Sequence, residues 1–215
     1  DFRMLSEQIV ERLSAIVGAQ RLLLDSADLQ RFGVDRTTIW QANPCAVVLP
    51  GTVEEVQAVV RLANELNLAI VPSGGRTGLS GGAVAKDGEI VVAMDRLNEI
   101  LDFNALDRTV KLGAGVITAN LQDFATQQGL FYPVDFASTG SSQIGGNIAT
   151  NAGGINVIRY GMTRDWVMGL KVVNGAGEIL ELNRGLVKNN TGYDFRHLFI
   201  GSEGTLGLIS RRPSS

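Results

Sequence analysis

Residues 72–82 read PSGGRTGLSGG, and this segment constrains the chain more than any other. Five glycines, two serines and a threonine leave it almost free of side-chain bulk. The apolar run Leu68-Ala69-Ile70-Val71 leads straight into it, and Ile90-Val91-Val92-Ala93-Met94 follows a short linker. Both runs have the length of buried strands, so the segment is a loop hung between two strands. Such a loop lets another molecule approach its backbone closely. Its successive N–H groups form a concavity suited to anionic oxygens. The pattern points to a phosphate or pyrophosphate cradle and so to a nucleotide cofactor. A plain turn between strands is the competing reading at this stage. Two nucleotide motifs are excluded: no G-x-x-x-x-G-K-[ST] run occurs, and Gly75, Gly78 and Gly81 miss the G-x-G-x-x-G spacing. No long amphipathic helix directly follows, so loop amides are the expected donors.

The 215 residues suffice for one large domain or two small ones. Glycine is the compositional outlier, 26 residues against an average near 7%; its clustering places function in loops. Nineteen basic residues against 22 acidic ones give a net charge of −3, which excludes the basic stripe of a nucleic-acid binder. The lone Cys45 forbids an intrachain disulfide and fits a small core residue in a reducing compartment. The lone His197, beside Leu198, Phe199 and Ile200, reads as structural, because no Cys or His cluster offers a metal site. No apolar run approaches a membrane span, and no signal peptide is visible.

Leu5, Ile9, Leu13, Ile16 and Val17 are spaced for a helix capped by Ser6 and stopped by Gly18. A strand over 45–49 runs into Thr52-Val53-Glu54-Glu55, a capping box. Val56, Val59, Val60, Ala63 and Leu66 then continue as a helix. With the strand at 68–71 this makes a strand–helix–strand unit long enough for a parallel crossover. The glycine loop hangs from the carboxyl end of its second strand, where α/β sheets place ligands. Val110, Leu112 and Ala114 alternate as a strand, and residues 118–128 have helical spacing with a stop at Gly129. Residues 170–173 and 179–182 flank Asn174-Gly175-Ala176-Gly177, a hairpin signal. The expected class is α+β, two halves sharing one interface with the cofactor between them.

Two further small-residue segments stand out. Residues 138–154 read STGSSQIGGNIATNAGG. Here Ser141 or Ser142 is expected to cap a short helix over 143–150 and leave its first N–H groups to an anion; the Gly145-Gly146 pair admits a flat ring or a second backbone. Residues 192–209 read GYDFRHLFIGSEGTLGLI, with glycines bracketing Glu203. Its carboxylate is expected on loop amides or a ligand hydroxyl, rather than as a general base.

In this order and spacing, the three segments resemble the FAD-binding domain of the vanillyl-alcohol oxidase/p-cresol methylhydroxylase flavoproteins. The likeness is greatest to the glycolate oxidase flavoprotein subunit, D-lactate dehydrogenase and D-2-hydroxyglutarate dehydrogenase group. The resemblance implies an N-terminal helical segment over 1–39 and a p-cresol methylhydroxylase-type domain over 40–212. That domain comprises two α/β subdomains, about 40–98 and 99–212, with FAD between them. It implies that Pro72, Gly74, Gly75, Arg76, Thr77, Gly78, Leu79, Ser80 and Gly81 cradle the pyrophosphate. Ser138, Thr139, Gly140 and Ser142 would line the flavin side, with Pro133, Gly145, Gly146, Asn147, Ala149, Asn151 and Gly153 also toward the cofactor. Glu203, Gly204 and Ile209 would hold the ribose and adenine end.

Some relatives attach FAD through a His in the first loop, where Arg76 stands here, or through a Cys near the STG segment, far from Cys45. Non-covalent FAD is therefore expected. The implied activity is hydride transfer from the α-carbon of a small 2-hydroxy acid to the flavin. The alternative is a non-catalytic FAD-binding or electron-transfer subunit beside an iron–sulfur or other electron-acceptor protein. The family's substrate-capping domain, which supplies the groups that meet the hydroxy acid, is expected to be missing from this chain. No catalytic residue and no metal ligand is therefore assigned. A cytoplasmic location is expected, or the mitochondrial matrix in a eukaryote, with peripheral membrane association compatible.

Overall fold

The computed structural model describes residues 5–183, 185–186 and 188–211. The expected outer boundaries at residues 1 and 212 lie outside these. In chain order the first elements are α1 (Glu7–Val17), β1 (Leu22–Leu23), α2 (Ser26–Phe32), β2 (Ala46–Val48), α3 (Val53–Glu65), β3 (Ile70–Ser73) and β4 (Ile90–Ala93). Ser6 caps α1 through Oγ, which accepts the Ile9 N–H at 3.4 Å, and Gly18 ends it at φ +89°. Thr52 caps α3 by accepting the Glu55 N–H at 3.1 Å. The return bond of the expected box shifts by one residue, since Glu55 Oε2 takes the Gly51 N–H at 2.6 Å.

The first four strands form one sheet in the order β1-β2-β4-β3, with β2, β4 and β3 parallel and β1 antiparallel to β2. The crossover from β2 to β3 is parallel as expected, but β4 lies between them. Every residue of β4 is buried, whereas β3 is mostly half-buried and carries Pro72, which has no N–H for a second neighbour. The central place therefore goes to β4 and the edge to β3. The pleat sends alternate side chains to opposite faces. Val47, Val91 and Ala93 meet Leu29 and Phe32 of α2. Ala46, Val48, Ile90 and Val92 join Leu13 of α1 and Val56, Val59 and Val60 of α3. Residues 22–32 thus share the strands' own core.

The second half contains β5 (Ile100–Asn104), β6 (Thr109–Leu112), α4 (Thr118–Gln127), α5 (Ile144–Ala149), α6 (Val157–Tyr160), α7 (Thr163–Trp166), β7 (Leu170–Asn174), β8 (Ile179–Leu182), α8 (Arg196–Phe199) and β9 (Gly207–Arg211). β5 and β6 pair as an antiparallel ribbon, and β8-β7-β9 form an antiparallel sheet that contains the expected 170–182 hairpin. Buried Val172, Val173 and Leu208 of this sheet belong to the same cluster as α3. The polar side of α3 reaches the hairpin turn as well. Gln57 Nε2 and Arg61 Nε donate to Gly177 O at 2.8 and 3.1 Å, and Asn64 Nδ2 donates to Gly175 O at 2.8 Å. The helix thus joins the two sheets, and the mixed parallel and antiparallel arrangement matches the expected α+β class.

Candidate functional site

The carboxyl ends of β3 and β4, the start of α5 and the turn before β9 enclose a cleft of about 460 Å³. The first glycine loop forms its largest wall. Pro72, Gly74, Gly75, Arg76, Thr77, Gly78, Leu79 and Ser80 all line it. Among the described residues, no backbone N–H from Gly75 to Ser80 has a protein acceptor. The loop is held by other groups. Arg36 N–H donates to Gly78 O at 2.9 Å. Asp35 accepts the Gly81 N–H at 2.8 Å and the Thr37 N–H at 2.7 Å. Gly81 sits outside the lining, at φ +80°, with its α-carbon against Trp40: a β-carbon there would lie 2.2 Å from the indole.

Arg76 is the cation of this wall, and its charge is already satisfied. Its guanidinium forms a two-point pair with Asp95 at 3.1 and 2.8 Å, donates to Ser73 Oγ at 3.2 Å, and stacks 4.7 Å over Phe32. The lining also carries the carboxylates of Asp35 and Glu203. Attraction for an anion therefore comes from oriented N–H dipoles rather than from net positive charge.

In the second segment, Ser138, Gly145, Gly146, Asn147 and Ala149 line the cleft. Ser142, Thr139, Gly140, Pro133, Asn151 and Gly153 stand outside that lining. Ser142 is buried and shares its Oγ with Thr118 Oγ1 at 2.7 Å. Thr139 Oγ1 bonds Asp135 Oδ1 at 3.0 Å and Phe136 O. Pro133 O accepts from Asn156, Asn151 Oδ1 accepts the Arg164 N–H, and Gly153 packs beside Val157. Gly140 has open space around its α-carbon.

The expected serine cap of α5 is corrected. Gln143 occupies the cap position without a side-chain bond, and the first two helical N–H groups are taken. Ile144 N donates to Val116 O at 2.9 Å and Gly145 N to Ala114 O at 2.7 Å. The 114–117 segment runs alongside, bridged at Ile117 and Gln143, and takes the first two of the donors expected to face an anion.

The third segment brings Glu203, Gly204 and Ile209 to the opposite wall, together with Gly207 and Leu208. Glu203 adopts φ +52°, and its N–H donates to Ala149 O at 2.8 Å. Among the described residues its carboxylate has no protein partner, so it is free to accept a ligand hydroxyl. His197 lies away from the lining, with Nδ1 3.0 Å from Arg164 Nη1 and Nε2 3.5 Å from Asp194. The Arg196 side-chain hydrogen bond holds the Asp194 carboxyl below its ordinary range. No group of three His, Cys, Asp or Glu suited to a metal occurs among the described residues.

Residues 44–183 match a protein family described as FAD binding domain. The chain belongs to that family. It is 64% identical over 197 residues to D-2-hydroxyglutarate dehydrogenase of Xanthomonas citri pv. viticola, an alignment covering 92% of this chain and 42% of that protein. It is 57% identical to D-2-hydroxyglutarate dehydrogenase of Stutzerimonas stutzeri, covering 96% and 44%. The chain spans less than half the length of these relatives. Among solved structures, alkyldihydroxyacetonephosphate synthase superposes with a TM-score of 0.87 at 26% identity, over 99% of this chain and 40% of that one. p-Cresol methylhydroxylase superposes at 0.80 with 20% identity, over 98% and 43%, a likeness of fold. Relatives from Arabidopsis thaliana and Bos taurus are named as mitochondrial. No described helix is long and apolar enough to cross a membrane.

The cleft fits FAD on its own features. Unengaged N–H groups follow one another from Gly75 to Ser80, and Gly146 faces open space that a side chain would fill. Sequence reasoning missed Asp35, Ser73, Gly82, Ala83, Met94, Phe136, Gln143, Thr150, Ala152, Gly207 and Leu208, all of which line the cleft, and Thr118 behind it. Asp35 precedes the family match and carries no motif. Its role predicts that Asp35→Ala frees the first loop: trypsin then cuts after Arg76 faster than in wild type, and FAD affinity falls roughly tenfold, the worth of about one hydrogen bond to a charged group. Limited proteolysis and fluorescence titration check both.

Proposed function

We propose that this chain forms the FAD-binding part of a flavin-dependent 2-hydroxy-acid dehydrogenase, acting on substrates of the D-2-hydroxyglutarate or D-lactate class. The observation that carries the reading is the run of unengaged N–H groups from Gly75 to Ser80 on a cleft whose cation is already paired. A pyrophosphate supplies the acceptors that the protein withholds. The substrate class rests on relatives named D-2-hydroxyglutarate dehydrogenase and D-lactate dehydrogenase.

In this reading, Gly75 to Ser80 bind the pyrophosphate, and the Glu203 carboxylate accepts a ribose hydroxyl. Leu208 and Ile209 give the adenine an apolar wall. Ser138, Asn147 and Ala149 line the flavin side, with Gly146 leaving room for the ring. When bound, FAD supplies the hydride acceptor for oxidation of the substrate α-carbon. Purified chain mixed with FAD and desalted is expected to retain a visible flavin spectrum at about one equivalent. A colourless protein after that treatment overturns the reading. In protein carrying the relatives' full span, anaerobic D-2-hydroxyglutarate or D-lactate is expected to bleach the flavin; bleaching by neither removes the substrate class.

The flavin is held without a covalent bond. The cleft lining contains no His, Cys or Tyr among the described residues, and Cys45 is buried in the main core cluster. At the family's His position Arg76 is paired with Asp95, and a guanidinium is a poor nucleophile. Acid precipitation is expected to release all flavin to the supernatant as FAD. Flavin left in the washed pellet excludes this mode.

A further inference from the structure

Gln143 sits at the junction of the first two loops and is 3% exposed. It lines the cleft, and its Oε1 lies 3.6 Å from where a β-carbon on Gly74 would stand. That oxygen is buried without a hydrogen-bond partner. Leaving a buried amide oxygen unpartnered destabilises a fold by about 1–3 kcal/mol. Both neighbours along the floor, Gly74 and Gly146, have no side chain to supply a donor. An acceptor kept at this place needs a donor that arrives with a ligand.

Resting on the FAD reading above, we propose that Gln143 is a cofactor-binding residue whose carboxamide oxygen accepts a hydrogen bond from a neutral N–H or O–H donor of FAD. The pyrophosphate is excluded as its partner, because phosphate oxygens at neutral pH bring no proton to donate. The donors that FAD offers are the hydroxyls of its sugar-alcohol chain and ribose, and the N–H groups of its rings. Gln143 therefore reads the organic part of the cofactor, while the Gly75–Ser80 amides read the charge. This division gives opposite signs to two properties of one substitution. In Gln143→Leu the orphan acceptor disappears, so the flavin-free chain melts no lower than wild type. The cofactor's donor then loses its partner, and FAD affinity falls roughly tenfold.

The test is a fluorescence titration with FAD and thermal melts of the flavin-free chain, on wild type, Gln143→Leu and Gln143→Glu. The Glu variant retains an acceptor of the same reach. It is expected to bind FAD within about threefold of wild type if the partner is a neutral donor, and to lose more than the Leu variant if the partner is a phosphate oxygen. A flavin absorption band displaced in the Leu variant assigns a ring N–H of the flavin as the donor. An undisplaced band assigns a sugar-alcohol hydroxyl or the adenine half. Leu binding within twofold of wild type, or Glu binding more weakly than Leu, overturns the assignment. Failure of wild type itself to bind FAD overturns the functional reading instead.

Discussion

Alanine at position 75 is expected to abolish tight FAD binding and to lower the melting temperature. A β-carbon on Gly75 lies 2.4 Å from Ser141 O and 2.8 Å from Ser142 Cα. Both are backbone atoms, so no rotamer relieves the contact. The first and second loops must move apart, or the cradle must tilt. Overpacking of this kind costs about 1–3 kcal/mol, or roughly 2–12 °C in melting temperature for a chain of this size. In the proposed site the cofactor spans the same two loops, so its affinity is expected to fall at least thirtyfold as the donors leave their common direction. Gly140→Ala is the matched control: the residue lies in the second segment, but its β-carbon would meet open space. Thermal melts and FAD titrations of the two variants separate a loss specific to the loop junction from a general intolerance of alanine. Wild-type affinity in Gly75→Ala removes the loop junction from the cofactor site.

The contrast between Gly75 and Asp35 shows where sequence reading succeeds. The glycine loop, the flanking strands and the helix after Thr52 are legible because each signal is local: a run of small residues, an apolar run, a hydroxyl three residues before Glu55. Of the residues that the family resemblance carried onto these segments, 16 line the cleft. Asp35 carries no local mark. It reaches the loop because Gly33 O accepts the Ala85 N–H and Asn43 N donates to Ala85 O, bonds between residues far apart in the chain. The place of β4 between β2 and β3 was hidden for a related reason. Strand order follows from competition for burial among three apolar runs, and only Pro72 in β3 signals an edge. The serine cap of α5 failed because local propensity lost to a tertiary partner. The 114–117 segment supplies carbonyls to the helix start, and Ser142 turns inward to Thr118. The small-residue loops themselves were legible, whereas the polar groups that hold them from behind, and cleft residues outside those loops such as Asp35 and Met94, were not.

Thr118 is the strongest example and carries the second large prediction. It is wholly buried at the start of α4. Its Oγ1 donates to Ser142 O at 3.1 Å, accepts the Asn147 Nδ2 donor at 2.7 Å, and stands 2.7 Å from Ser142 Oγ, which donates to it. One hydroxyl thus satisfies three groups from two turns of the second segment, one of them the cleft residue Asn147. Valine has nearly the same shape, so Thr118→Val leaves packing intact and strips Ser142 Oγ and Asn147 Nδ2 of their partner, while Ser142 O keeps the Thr118 N–H at 2.9 Å. Each stranded buried group costs about 1–3 kcal/mol, and partial relaxation leaves about 3 kcal/mol in all. That corresponds to a melting temperature lower by roughly 6–12 °C. FAD affinity is expected to fall with it, because Asn147 loses the bond that fixes its amide toward the cleft. Thr118→Ser keeps the hydroxyl and removes one buried methyl, about 1 kcal/mol, so it should melt within about 4 °C of wild type and bind FAD normally. If valine and serine destabilise equally, the methyl rather than the hydroxyl holds this junction, and the polar network behind the second loop is not what positions Asn147.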